Sequence, residues 1–419
     1  MRGKPFLTAM LLCLLPAHAD KKYDPGAGDT EIKVGTIVPL TGVFSEYGAI
    51  ARAEDAYFRM LNDRGGINGR RITFVIRDSA SDPTRSLALA RQLVETDRVL
   101  LTVGIWGTPA NLAVRPYLNG RQVPQLFVAA TDTAFNDPAH YPWTMGFQPD
   151  RETEGVAYAR YLLQNKPDAK IAILCGNVPA DQQWIDGIRL GLGAQADKMI
   201  VKVARFNYAA PGAPAGGTIP PDSVPKSSRF DYAHPDSIEA QVALLKDSGA
   251  DTFMNLAVGR FATRAIRTAY DLGWHPLEFI PNASLSVASF LDPAGLQKCV
   301  GLICNARSKS WKRSQASDPA VNDFLNWMAA YNPDASLRDA NYVYGYEVAQ
   351  TLAAVLQQCG DDLTHANVLK QATSLDLQLG MLRPGIKITT GPNDYRPIKQ
   401  LFLIRFDGAE WQPIGPIGG

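Results

Sequence analysis

Three places in the first third of the chain set small hydroxyls, glycines and aromatic rings just past the end of an apolar run. Residues 31–47 read E-I-K-V-G-T-I-V-P-L-T-G-V-F-S-E-Y, residues 104–109 read G-I-W-G-T-P, and residues 129–133 read A-A-T-D-T. Thr108 before Pro109 is the order of a helix N-cap followed by the first helical residue. Such a helix start turns backbone N–H groups and a hydroxyl outward, an arrangement suited to a carboxylate. Ala129, Ala130 and Thr131 have the same character. These residues offer recognition of a small solute rather than bond making.

Patterns for catalysis are missing. Gly-x-Ser-x-Gly and G-x-x-x-x-G-K-S/T do not occur, and no Ser/His/Asp set or carboxylate pair stands out. Gly191–Ala196 fits G-x-G-x-x-G/A in letters but follows a helical pattern, whereas a dinucleotide site needs a strand before it. Without Cys-x-x-Cys or His-Glu-x-x-His, no zinc site is expected. Catalytic residues, metal and cofactor are therefore expected to be none, and the chain is read as a non-enzyme.

The elements that position these loops alternate. Strand-like runs at 32–38, 72–76, 99–103 and 125–129 are separated by helical patterns at 50–61, 82–94 and 109–118. This rhythm predicts a parallel sheet covered by helices on both faces. It restarts with helices at 152–163, 181–192, 237–246 and 261–272 between strands at 170–175, 199–206, 251–255 and 277–281. Residues 208–235, dense in Pro, Gly and Ser, cannot hold a regular helix or central strand and are expected to be a long excursion. After Asp318 the chain is expected to be helical (320–331, 341–358 and 364–372) before a last strand at 400–405.

The first nineteen residues are expected to be a secretory signal. Arg2 and Lys4 precede an apolar run at 6–15, and Ala17-His18-Ala19 is an A-x-A cleavage site. The run is too short to span a bilayer. Removing Arg2 and Lys4 takes Lys+Arg from 42 to 40 against 41 acids. That near balance gives no field for nucleic acid or an anionic membrane. At 46% hydrophobic, the chain's 419 residues suffice for two cores. Cys175, Cys299, Cys304 and Cys359 remain after the signal. Sequence does not choose among their pairings, and the neighbours Cys299 and Cys304 are the best candidates for a disulfide.

With these motifs in place, the chain resembles the type I periplasmic solute-binding proteins of ABC transporters, of the leucine/isoleucine/valine-binding kind. The matching stretches are I-K-V-G-T-I-V-P-L-T-G, G-G-I-N-G-R-R-I, D-S-A-S-D-P-T-R-S, V-G-I-W-G-T-P-A-N-L-A-V, V-P-Q-L-F-V-A-A-T, A-I-R-T-A-Y-D-L-G-W and Y-V-Y-G-Y-E-V-A-Q-T-L. They follow the family's order across nearly all of residues 31–408. The resemblance implies two doubly wound α/β lobes joined by a three-crossover hinge, with ligand in the cleft between them. The crossovers then fall near Gln148, Ile303 and Gly385. Lobe one is 29–148 plus 304–385, and lobe two is 149–303 plus 386–419.

The same resemblance implies the site. Thr108 falls where a hydroxyl meets the ligand carboxylate, and Ala129 and Thr131 where backbone and hydroxyl hold carboxylate and amine. Tyr47 matches a cleft-wall tyrosine, and Tyr346 or its neighbour Tyr344 matches another. Trp106 borders the pocket, and lobe two is expected to add Asn255, Asn282 and Ser284. Two departures stand out. A second-lobe aromatic position falls on about Ala180, and the acid that meets a ligand ammonium falls on Asn282 or Ala283. A buried ammonium without a counter-ion is costly. The expected ligand is a small carboxylate-bearing solute, either branched-chain amino acid-like or an aromatic or other organic acid without an α-amino group; the missing acid favours the second, and Asp181 is the residue that could replace it. The implied partner is an inner-membrane ABC permease that receives the solute from a periplasmic monomer. The alternative is an exported sensor that presents the solute to a signalling receptor.

Overall fold

The computed structural model describes residues 21–208 and 237–416. The expected signal, 1–19, and nearly all of the Pro/Gly/Ser-rich excursion lie outside the described residues. Among the described residues no helix is long and apolar enough to cross a membrane.

The first sheet has five parallel strands: β1 (Glu31–Val38), β2 (Arg71–Asp78), β3 (Leu101–Val103), β4 (Gln125–Val128) and β5 (Thr144–Gly146), in the spatial order β2-β1-β3-β4-β5. Buried on both faces, β1 reads as a near-continuous apolar run, as central parallel strands do. Helices α1 (Gly48–Asp63), α2 (Pro83–Glu95) and α3 (Thr108–Gly120) follow β1, β2 and β3. The chain leaves β1 toward β2 and then returns to the other side for β3. That reversal opens a crevice at the carboxyl ends of β1 and β3, where open α/β sheets bind small molecules.

The second sheet has seven strands: β6 (Ile171–Gly176), β7 (Ile200–Phe206), β8 (Thr252–Asn255), β9 (Leu277–Phe279), β10 (Ile303–Ala306), β11 (Phe402–Phe406) and β12 (Trp411–Pro416). Its order is β12-β11-β10-β9-β8-β6-β7, so its first five strands repeat the winding of the first sheet. Only the pairings of β11 with β10 and β12 are antiparallel. Helices α4 (Arg151–Asn165), α5 (Pro179–Leu192), α6 (Ile238–Lys246) and α7 (Arg260–Asp271) cover it. Helices α8 (Pro319–Tyr331), α9 (Ala340–Cys359) and α10 (His365–Ala372) return to the first lobe, where Phe324, Val348, Leu352 and Val368 join its apolar core.

The chain runs from β5 through Gln148 into α4. The second and third passages between the lobes lie later than the sequence placed them. Ile303 belongs to β10, which pairs with β9 and β11, so the second passage follows Ala306. Ile386, Ile388 and Ile398 are buried in the first lobe's core, and the Ile398 amide donates to Phe147 O at 3.3 Å, so the third passage precedes β11. Four residues, I-C-N-A, are too short a run to announce a strand in sequence.

The anticipated Cys299–Cys304 disulfide is not formed. All four described cysteines are buried free thiols. Cys299 Sγ donates to Gly295 O at 3.5 Å, and Cys304 Sγ, within β10, to Asn305 O at 3.4 Å.

Candidate ligand site

Helices α4 and α5 pack closely because Gly155 and Gly187 face each other's backbones. A Cβ on Gly187 would lie 2.2 Å from Glu152 O, and one on Gly155 2.5 Å from Trp184 O. Their contact brings Arg151, at the start of α4, beside Asp181 and Trp184 of α5. Opposite them, Gly107 turns the chain from β3 into α3 at φ +91°, which a β-carbon strongly disfavours. The helix therefore begins at Thr108, with Gly107 as its cap and no side-chain capping bond. Thr108 is not the N-cap that its sequence suggested. Its hydroxyl is left for another partner, and the amides of Thr108 and Ala110 belong to the unpaired first turn.

Between the lobes lies a cavity of about 430 Å³, within the ~300–1,000 Å³ typical of small-molecule sites. Tyr47, Trp106, Thr108, Ala129, Ala130, Thr131, Asn282 and Tyr344 line it, as do Ala180 and Asp181. Asn255, Ser284 and Tyr346 do not. Asn255 is fully buried and donates to Glu278 Oε1 at 2.9 Å. Ser284 Oγ accepts from the Gly259 amide at 3.0 Å and donates to Ala257 O at 3.2 Å. Tyr346 packs in the first lobe against Trp327, with ring centroids 4.7 Å apart. Two residues along an α-helix point to nearly opposite sides, so Tyr344 and Tyr346 cannot both face the cleft.

Several lining groups are already engaged. The Ala129 amide donates to Ile105 O at 2.9 Å, its carbonyl accepts from Gly107 N at 3.1 Å, and the Ala130 amide donates to Val128 O at 2.9 Å. These backbone groups are spent inside the first lobe rather than kept for a ligand. The Thr131 hydroxyl has no such bond among the described residues. Both ends of the Asn282 amide are engaged: Nδ2 donates to Asn305 O at 2.7 Å, and Oδ1 accepts from Arg307 Nη1 at 3.3 Å. Tyr47 stacks on Trp106 at 4.5 Å, and its hydroxyl donates across the cleft to Ala283 O at 2.8 Å. Phe44 reaches Tyr208 and Phe261 on the second lobe, both at 5.8 Å between centroids. The lobes are closed on each other.

Charge in the cavity centres on Arg151. Its Nη1 donates to Thr108 Oγ1 at 3.1 Å, its Nη2 lies 3.5 Å from Asp181 Oδ1, and the guanidinium sits 4.6 Å over Trp184. Its buried Nε has no partner. Asp181 Oδ2 also accepts from Tyr208 OH at 2.7 Å and from the Gly176 amide at 2.9 Å. Burial raises the Asp181 carboxyl above the usual carboxylate range, while Arg151 opposes the rise. The other lining carboxylate, Glu410, is paired with Lys312. Arg307, 4.9 Å over the Tyr344 ring, is paired with the fully buried Glu347 at 3.1 Å.

A family model described as periplasmic binding protein matches residues 31–214 and 215–410. The chain belongs to the periplasmic binding protein family. This binding protein is similar in sequence to the leucine-, isoleucine-, valine-, threonine-, and alanine-binding protein of Pseudomonas aeruginosa, 38% identical over 183 residues, 43% of this chain and 47% of that one. Leu/Ile/Val-binding protein homolog 2 of Brucella abortus is 27% identical over 184 residues, 44% of this chain and 47% of that one. The chain thus spans about half the length of the curated relatives it matches. In fold it is similar to a branched chain amino acid ABC transporter structure from Thermus thermophilus with bound valine (TM-score 0.77, 15% identity, covering 94% of this chain and 98% of that one). It is also similar to a fatty acid ABC transporter substrate-binding protein from Thermomonospora curvata (TM-score 0.73, 19% identity, 95% of each chain). The two-lobed architecture expected of the family is present.

Sequence reasoning about this binding protein missed Arg151 and Arg307. Arg151 stands in D-R-E-T-E, where Asp150 caps α4 by accepting from Thr153 N at 2.8 Å, and it reads as ordinary helix-start charge. Arg307 follows the unrecognised strand β10. A cation immediately after a crossover is the one signal that could have marked both.

Proposed function

We propose that this chain is the substrate-binding component of an ABC importer, exported by its N-terminal signal. In this reading it captures a small carboxylate-bearing solute without an α-amino group and hands it to an inner-membrane permease. The observation that carries the ligand assignment is the Arg151–Asp181 pair. Among the described residues, both acids lining the cavity already hold protein cations. An incoming ammonium would set two cations against one buried carboxylate, which a low-dielectric site penalises. A carboxylate meets the opposite situation: the Thr108 hydroxyl, the free first-turn amides of α3, the Thr131 hydroxyl and the Arg151 guanidinium converge on it. Phe44, Tyr47, Trp106 and Tyr344 supply apolar walls for an aromatic or aliphatic body.

The names of the relatives favour a branched-chain amino acid instead, so the two ligand classes are set against each other directly. Native mass spectrometry of the purified protein identifies any co-purified solute. Calorimetry with leucine and with benzoate then follows. Micromolar or tighter binding of the aromatic acid with little response to leucine is expected. Tight leucine binding with no response to aromatic acids would sink the assignment. Recovery of the solute unaltered is the result expected of a carrier rather than an enzyme.

A further inference from the structure

The cavity does not end at the residues that meet a carboxylate. Besides the Thr108–Arg151–Asp181 group and the hydrogen-bonded Asn282 and Arg307, its lining includes Leu285, Trp311, Ile404, Trp411 and Arg383. Both tryptophan N–H groups there are committed to backbone. Trp311 Nε1 donates to Leu337 O at 2.6 Å and Trp411 Nε1 to Leu285 O at 2.9 Å. Their rings therefore present apolar faces only. With Leu285 and Ile404 they form a compartment fit for a hydrocarbon or aromatic body. At ~30 Å³ per water, the 430 Å³ cavity has room for a solute much longer than one short acid.

The cations beside this compartment are unevenly matched. Lys309 is paired with Asp318 at 2.7 Å, Arg338 with Asp292 at 2.9 Å, and Lys312 with Glu410, while Arg313 lines the cavity exposed to solvent with no ion pair among the described residues. Arg383 donates its Nε to Ser308 O at 3.0 Å and lies 5.8 Å over the Phe402 ring. Among the described residues no carboxylate stands within ion-pair distance of it. Burial lowers its guanidinium below the ordinary arginine value, and no acid opposes the shift. A half-buried guanidinium lining the same cavity as an apolar compartment is a site for an anionic group.

We propose that the cleft takes an elongated, two-headed acid: one carboxylate at Thr108 and Arg151, an apolar body along Tyr344, Trp311 and Trp411, and a second acidic group at Arg383. This rests on the carboxylate reading of the same site and extends it. The test compares two probes that share a skeleton, 4-phenylbutyrate and 4-(3-carboxypropyl)benzoate, which differ by the second carboxylate. Calorimetry on the full chain and on Arg383→Gln gives four dissociation constants. The diacid is expected to bind the unaltered protein at least tenfold more tightly than the monoacid. In Arg383→Gln that preference should fall below threefold while the monoacid affinity stays put, which also reports an intact fold. Equal binding of both probes to the unaltered protein would overturn the second site and leave the first standing. So would a diacid preference that survives Arg383→Gln. Failure of both probes and of benzoate to bind would overturn the carboxylate reading itself.

Discussion

Replacing Thr108 by valine removes one hydroxyl while keeping the β-branched shape. Thr108 is 6% exposed and sits in the first turn of α3, whose cap is Gly107 and not a side chain. The helix should therefore survive. What is lost is the acceptor for Arg151 Nη1, 3.1 Å away, and the donor that would meet a ligand carboxylate. Hydrogen bonds to charged groups contribute about 1.5–3 kcal/mol, so carboxylate affinity should fall by roughly 10- to 150-fold at ~1.4 kcal/mol per decade. Stability should fall by about 1 kcal/mol, because Arg151 keeps Asp181 and the Trp184 face. Calorimetry with the solute identified by native mass spectrometry measures the first quantity, and urea unfolding the second. Thr108→Ser should restore most of the affinity. An affinity within twofold of the unaltered protein, accompanied by the stability loss, would show that the hydroxyl serves only to hold Arg151, and the site as drawn would be wrong.

Two further outcomes concern groups outside the cleft. Burial pushes the Glu278 carboxyl from 4.5 to about 7, with the Asn255 bond opposing. The folded state then binds more protons than the unfolded one between those values, so stability falls as pH rises through that window, by up to about 3 kcal/mol. Glu278→Gln keeps an acceptor for Asn255 and should flatten the fall; a urea-unfolding profile between pH 5 and pH 8 that is the same in both proteins would contradict it. The four described cysteines should react with a thiol reagent only after denaturation, and reductant should leave the melting temperature unchanged; a count of two thiols in denaturant would establish a disulfide instead.

The winding of both sheets was readable because buried parallel strands are written as apolar runs and the intervening helices carry their own period. The strand Ile303–Ala306 was not, because four residues give no periodicity, and its loss shifted the second passage between the lobes. The N-cap pattern at Thr108 belongs in the structure to Gly107, whose backbone only the φ angle reveals. Tyr346 and Tyr344 were inseparable as letters, and the helix phase decides between them. Asn255 and Ser284 read as polar residues at strand ends but spend their bonds inside the second lobe. Arg151 stayed hidden because its significance comes from meeting Thr108, 43 residues earlier, across the cleft. A contact between lobes leaves no mark in local sequence.

That same contact also ties the two lobes together. Several bonds span the cleft: Arg260 with Glu46 at 2.6 Å, Gln183 Nε2 with Asp132 Oδ1 at 2.9 Å, and Tyr47 with Ala283. Exposed ion pairs of the first kind contribute about 0–1 kcal/mol, so such bonds bias closure without fixing it. A ligand shifts the balance only by the difference in its affinity for the open and closed forms. Arg151 opens α4 of the second lobe, with its amide donating to Thr131 O of the first at 2.9 Å, and Thr108 opens α3 of the first, so on the proposed reading a carboxylate held by both side chains would gain from closure. An ammonium at Asp181 would find its counter-charge within the second lobe, already shared with Arg151 at 3.5 Å. On the proposed reading, an anionic group held by both lobes would couple its own binding to closure more strongly than a cation held at Asp181 alone.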